Sequence, residues 1–223
     1  MPVFKLVNQD FFNSWSKDMA YVLGFFAADG CLTTNKTGGH YFSIQIKDLD
    51  HLKKIRKLLC SNHKITKRIH KRDSSVFYRI QIGSKDIWQD LHKLGMSEQK
   101  TKRLILPKIP VEFLFDFVRG YFDGDGGVWV GRLHSHRQKQ SIGLQVYFTS
   151  SSQYFLNDLK NKLMTYKIIG SLYKRKSEAY VLRYASKSSI ILYREMYKDK
   201  GLYLFRKKKI FNKFIKCGRS LDG

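Results

Sequence analysis

Asp29 and Asp125 are the side chains whose type and placement most suggest chemistry. Each closes an apolar run and precedes a glycine, in AYVLGFFAADG at 20–30 and DFVRGYFDGDG at 116–126. Residues 18–28 and 111–122 read as buried helices, because they are apolar nearly all round. The acid then stands at the negative end of the helix dipole, where a carboxylate is disfavoured by about 0.3–1 kcal/mol. Repeating that cost at matching positions suggests a compensating cation. Gly30 and Gly126 suit the left-handed conformation that often closes a helix. Gly24-x-x-x-Ala28 and Gly120-x-x-x-Gly124 place small residues on one face, so the two helices can pair near backbone contact. Pairing brings the carboxylates together, which a shared metal or a raised pKa would permit. A single Asp-Gly is an ordinary turn signal; two in matched repeats carry more weight.

The elements around the acids repeat too. After each Asp-Gly come runs of period two: Phe42, Ile44 and Ile46 alternate with Ser43, Gln45 and Lys47, and Ile142, Leu144, Val146 and Phe148 with Ser141, Gly143, Gln145 and Tyr147. Each reads as a strand with one polar face. Amphipathic helices follow in DLDHLKKIRKLL and SSQYFLNDLKNKLM. Second strand pairs are predicted near 63–70 with 76–82 and 168–175 with 179–185. A last helix starts at Ser84 or Ser186, with serine as N-cap. QKTKRLILPK (99–108) loosely echoes RKKKIFNKFI (206–215), setting Lys100 against Lys207. A unit of roughly 100 residues duplicated in this way predicts two pseudo-symmetric lobes. The fold class is therefore α+β, with αββαββα lobes over 1–103 and 111–223 joined by a linker, 104–110, that holds Pro107 and Pro110.

Composition narrows the partners. The 223 residues include 42 Lys and Arg against 18 Asp and Glu, a net charge of +24. A chain this basic with 43% hydrophobic residues builds a core and expects a polyanion, nucleic acid first. No apolar run approaches the ~20 residues of a membrane span, and the N-terminus lacks signal-peptide order. Cys31, Cys60 and Cys217 are too scattered for a disulfide framework or a zinc motif, and an intracellular setting follows.

These residues resemble the paired motifs of the LAGLIDADG homing endonucleases in their single-chain form. Val22 through Gly30 and Val118 through Gly126 fit the nine-residue motif, and the resemblance extends over nearly the whole chain. One departure stands out: the earlier acidic motif position is Asp123 in the second copy and Ala27 in the first. Asp123 reads as a polar helix residue rather than a metal ligand.

The resemblance implies a monomeric, site-specific DNA endonuclease. Motif helices would form the lobe interface. Asp29 and Asp125 would hold divalent metal, normally Mg²⁺, with Mn²⁺ or Ca²⁺ substituting for binding. Lys100 and Lys207 would sit near the reacting phosphates, and Lys47 with its approximate counterpart Ser150 would hold the water network. The antiparallel sheets would form a DNA-binding saddle in the major groove of double-stranded DNA. Its contacts would come from Ser43, Gln45, Lys47, Arg68, His70, Arg79 and Gln81 in the first lobe. In the second they would come from Arg132, Arg137, Lys139, Gln145, Tyr147, Arg175 and Arg183. His134 and His136 read as a loop rather than a metal site. Arg206–Lys209, inside an amphipathic helix, reads as part of the lobe rather than a localisation signal.

The main rival is a non-cleaving intron RNA maturase or DNA-binding regulator on the same scaffold, against which both final acids weigh. A membrane-surface protein would need a lipid-facing amphipathic helix, which the motif helices do not supply. The chain lacks the self-splicing flanks of an intein, so a free-standing or intron-encoded protein is expected.

Overall fold

The computed structural model describes residues 5–70, 73–99, 102–133 and 141–216. The first lobe runs α1 (Lys17–Asp29), β1 (Gly30–Thr34), β2 (His40–Ile46), α2 (Leu49–Leu58), β3 (Ile65–Ile69), β4 (Val76–Gly83) and α3 (Lys85–Lys93). The second runs α4 (Leu114–Asp125), β5 (Gly126–Leu133), β6 (Ser141–Ser150), α5 (Gln153–Met164), β7 (Gly170–Lys174), β8 (Tyr180–Tyr184), α6 (Ser186–Tyr197) and α7 (Phe205–Lys216). The architecture is α+β, and each lobe holds a four-stranded antiparallel sheet, ordered β1-β2-β4-β3 or β5-β6-β8-β7.

Strand alternation decides which sheet face is buried. Phe42, Ile44, Ile80 and Ile82 in one lobe, and Leu144, Val146, Phe148 and Leu182 in the other, turn inward and are fully buried. Helices cover that face. Their starts follow local chemistry: the side chains of Ser16, Asp48, Ser84 and Ser152 each accept a backbone N–H of the first turn, satisfying donors that a helix start leaves open.

The second lobe departs from the sequence expectation at α6. Ser186 is the first helical residue, and Ala185 at the cap position makes no side-chain hydrogen bond. Ser186 Oγ instead meets the backbone of Leu144 on β6, so the hydroxyl ties helix to sheet. The echo between 99–108 and 206–215 does not extend to secondary structure over the residues described in both. Residues 104–110 form neither helix nor strand, since Pro107 and Pro110 cannot continue one, whereas 205–216 is α7. Among the described residues the second lobe therefore carries one α-helix more than the first.

The lobes meet along α1 and α4, whose residues from Met19 to Ala27 and from Phe117 to Asp123 are buried. A Cβ on Gly24 would fall on the carbonyl oxygen of Phe117, and one on Gly120 on that of Tyr21. The backbones thus touch, as the small-residue spacing predicts. Yet α4 is not apolar all round. It buries an Asp116–Arg119 pair at 2.6 Å, whose guanidinium also bonds the carbonyls of Met196 and Leu202. Burial pushes the Asp116 carboxyl up, opposed by Arg119. Multiple bonds of this kind are what make a buried charge tolerable.

Gly120→Ala should therefore cost about 1–3 kcal/mol through forced separation of the helices. Urea unfolding should show a lower midpoint with an unchanged slope; an unaltered midpoint would mean that the crossing is not close.

Candidate active site and nucleic-acid face

Asp29 and Asp125 are the last residues of α1 and α4, so the crossing delivers both to one end of the lobe interface. A Cβ on Gly124 would lie 3.1 Å from Asp29 Oδ2 and would overlap Ala28 Cβ. Asp29 thus abuts the opposite motif helix. Both acids act on shared neighbours: burial, with Asp125 and Asp29 adding to it, raises the Tyr121 hydroxyl, and both acids oppose the burial that lowers Lys207. Gly30 and Gly126 do not adopt the expected left-handed cap. Their φ values of −88° and −94° are extended, and each starts a strand. Glycine is needed there because a Cβ would strike the ring of Phe26 or Phe122.

The two acids face unequal surroundings. Asp29 opens on a cavity of about 750 Å³ that Lys47, Asp123 and Arg206 also line. Asp125 opens on one of about 270 Å³ lined by Ala27, Ala28, Thr149, Ser150 and Ser151. Ladder register makes Ile44 equivalent to Phe148, since they pair with Gly30 and Gly126. Lys47 therefore corresponds to Ser151, one residue beyond the Ser150 anticipated from sequence. Among the described residues no three His, Cys, Asp or Glu side chains gather as a metal cluster. Two carboxylates suit a hard cation that takes its other ligands from water and phosphate.

Lys207 is 6% exposed, and its ammonium is fully engaged. Nζ donates to the carbonyls of Phe122 (2.6 Å), Asp123 (2.8 Å) and Gly126 (2.6 Å), with Gly124 at 3.4 Å. It thus caps the negative end of α4, the end that carries Asp125. Burial lowers its pKa to about 8, with Asp123 opposing. The cation expected from helix-end electrostatics is, at α4, in part this lysine. Lys100 lies outside the described residues.

Asp123 is buried and joins the lobes. Its Oδ2 accepts from the Tyr21 hydroxyl of α1 at 2.7 Å and from Leu204 N at 2.8 Å. Tyr21 spends its proton there, so the 2.9 Å contact with His51 Nε2 assigns that nitrogen as the donor. Burial lowers His51 to about 4, consistent with a neutral ring. Burial also raises Asp123 to about 6, offset by the Tyr21 and Leu204 bonds.

The sheet faces away from the helices hold most of the anticipated contacts. Gln45, Arg68 and Gln81 are exposed there, with Arg79 half-buried. Arg79, lowered by burial and by Arg68, donates to Ser43 Oγ at 3.2 Å. Ser43 itself is buried at 4% exposure. It supports Arg79 instead of presenting its own hydroxyl, because the longer side chain folds over it. His70 sits at a hairpin tip, 3.0 Å from Asp73. Gln145, Tyr147 and Arg183 share the outward face of the second sheet, and Arg175 lies in the β7–β8 turn.

Arg132 is a correction: it pairs with Ile142 on the same side as Val128 and Val130, the helix side, so period two turns it away from the saddle. Arg137 and Lys139 lie outside the described residues, as do His134, His136 and Cys217. Sequence reading missed Trp129, 42% exposed, although GGVWVGRL alternates Gly, Trp, Gly and Leu on one face. It also missed Thr66, outward on β3, and Arg206, which lines the same cavity as Asp29. No helix among the described residues is long and apolar enough to cross a membrane.

Paired motif helices that each end in an acid and pass into the first strand of an antiparallel sheet define a two-lobe α+β scaffold. Residues 16–95 and 112–198 match the LAGLIDADG-like domain, and the chain belongs to the LAGLIDADG family. Similar solved structures include the LAGLIDADG homing endonuclease I-LtrWI bound to target DNA, at TM-score 0.59 and 17% identity, covering 94% of this chain and 90% of that one. The homing endonuclease I-WcaI bound to its DNA recognition sequence gives TM-score 0.62 at 14% identity, with 90% of each chain covered. I-SmaMI bound to an uncleaved DNA target in the presence of calcium gives TM-score 0.57 at 15% identity, covering 91% and 90%. The replication factor C small subunit of Methanocaldococcus jannaschii is 27% identical over 173 residues; that match spans 77% of this chain and 8% of that protein.

The Asp123 carboxyl supplies a pH test. The unfolded group titrates near 4 and the folded one at about 6, so the folded state binds more protons between those values. Stability from this group is then lost as pH rises through that window. Relative to Asp123→Asn, the wild type should lose melting temperature from pH 4 to above 6. His51 contributes with opposite sign in both proteins and cancels. A pH-independent difference would refute the assignment.

Proposed function

We propose that this chain is a site-specific double-strand DNA endonuclease that hydrolyses one phosphodiester on each strand of a long, asymmetric or pseudo-palindromic site. The observation that carries the reading is the placement of Asp29 and Asp125 at the paired ends of α1 and α4, in a chain of net charge +24. One chain supplies both motif helices, so it acts as a monomer, with one lobe over each half-site. DNA-bound structures of the same fold support double-stranded DNA as the partner.

Asp29 and Asp125 would hold divalent metal, Mg²⁺ by the preference of a carboxylate, water and phosphate donor set. When bound, it supplies Lewis-acid charge to phosphate and water oxygens. The residues of the chain do the rest. Lys47, exposed and 5.1 Å above the Phe77 ring, reaches the cavity beside Asp29 and there orients water or a phosphate oxygen. Lys207 acts as a positioning residue, because its bonds to the α4 carbonyls fix the backbone that aims Asp125. Arg68, Arg79, Gln45 and Gln81 in one lobe, and Gln145 and Arg183 in the other, contact bases and phosphates.

Cleavage of a selected site in supercoiled plasmid with Mg²⁺ tests this reading. Asp29→Asn or Asp125→Asn should lower the rate at least about a hundredfold, with binding in Ca²⁺ retained. Undiminished cutting by either variant would overturn the mechanism. Binding should also weaken with salt by a log–log slope near −0.9 per phosphate neutralised; a flat response would argue against a charged saddle.

A further inference from the structure

The outward face of the β5–β6 ribbon carries a longer apolar strip than its counterpart in the first lobe, where Tyr41 is the one large aromatic side chain of β1–β2 on that face. Gly126 corresponds to Gly30 and Phe148 to Ile44, so Trp129 stands where the first lobe has Thr33, and Tyr147 where it has Ser43. Each large side chain lies over a glycine. A Cβ on Gly127 would enter the Tyr147 ring, one on Gly131 the Trp129 indole, and one on Gly143 the Leu133 side chain. Trp129, Leu133 and Tyr147 therefore lie flattened along one face, on a floor shaped to hold them. Trp129 remains 42% exposed. Arg183, paired with Tyr147 in the ladder, rims the strip and stacks 5.6 Å over Tyr173, itself 40% exposed.

An ordered apolar strip on an exposed face marks an interaction surface, and its cationic rim and its continuity with Asp125 favour a nucleic-acid groove. In the major groove, thymine alone offers a methyl group, while guanine and adenine offer the acceptors and donors that Arg and Gln read. We propose that this strip reads thymine methyls, so that the half-site under the second lobe is thymine-dependent, whereas Arg68, Arg79, Gln45 and Gln81 read the other half through hydrogen bonds. The inference rests on the DNA-binding part of the proposed function and requires no cleavage.

The test selects bound duplexes from a randomised pool with the intact chain in Ca²⁺ at fixed salt. Positions whose preference relaxes in Trp129→Ala mark the second-lobe half, and those relaxed by Gln81→Ala mark the first. Deoxyuridine then replaces thymidine in one half at a time. Each lost methyl in the second-lobe half should weaken binding about three- to fourfold, and replacement in the first-lobe half should change little. Trp129→Ala should flatten the thymine–uracil difference; Leu133→Ser, a smaller change on the same strip, guards against misfolding. Uracil tolerated in the second-lobe half, equal losses in both halves, or a full difference persisting in both variants would overturn the inference. A chain that selects thymine but leaves DNA uncut in Mg²⁺ would overturn the endonuclease reading and support this one. A pool with no enriched sequence would overturn both.

Discussion

Everything in this molecule is referred to the backbone contact between α1 and α4. Gly24 and Gly120 leave no room for a Cβ, so the helices approach until each meets the other's carbonyls. That distance sets where both C-terminal residues emerge, and hence where Asp29 and Asp125 stand. It also fixes the sheets, because each motif helix passes directly into the first strand of its lobe. A looser crossing would separate the acids and tilt the two sheet faces together.

The end of α4 shows how the fold tolerates acids where a helix disfavours them. Lys207 places a buried ammonium on the last carbonyls, and Asp123 is held by Tyr21 of the other lobe and by the Leu204 amide. The first motif has Ala27 where the second has Asp123, and Lys47 answers to Ser151. The pseudo-symmetry is therefore one of backbone, with the chemistry around each acid distinct.

Much of the fold was legible in the sequence for physical reasons. Periods of two and of nearly four residues mark which faces must be buried, and the doubled motif marks where the unit repeats. That logic placed Phe42, Ile44 and Ile46 against helices, and Gln45 and Gln81 outside. It failed where side-chain character was read without register. Arg132 is basic and exposed, yet its position in the alternation turns it toward the helix side. Ser43 has the right parity but lies beneath Arg79, a matter of side-chain length that spacing does not carry. Trp129 has the outward parity, yet an aromatic residue in an apolar run carries no local mark of exposure.

By itself the sequence determined the two-lobe plan, the paired helices and the identity of the two acids, since each follows from local periodicity and from repetition of a short motif. Tertiary structure decided what Lys207 does, how Asp123 is satisfied and which outward residues are free. The first two outcomes depend on atoms more than eighty residues apart in the chain, and the third on pairs such as Arg79 and Ser43, 36 residues apart, all brought within hydrogen-bond distance by packing. Local pattern can assign a residue to a face, but only the folded chain decides what meets it there.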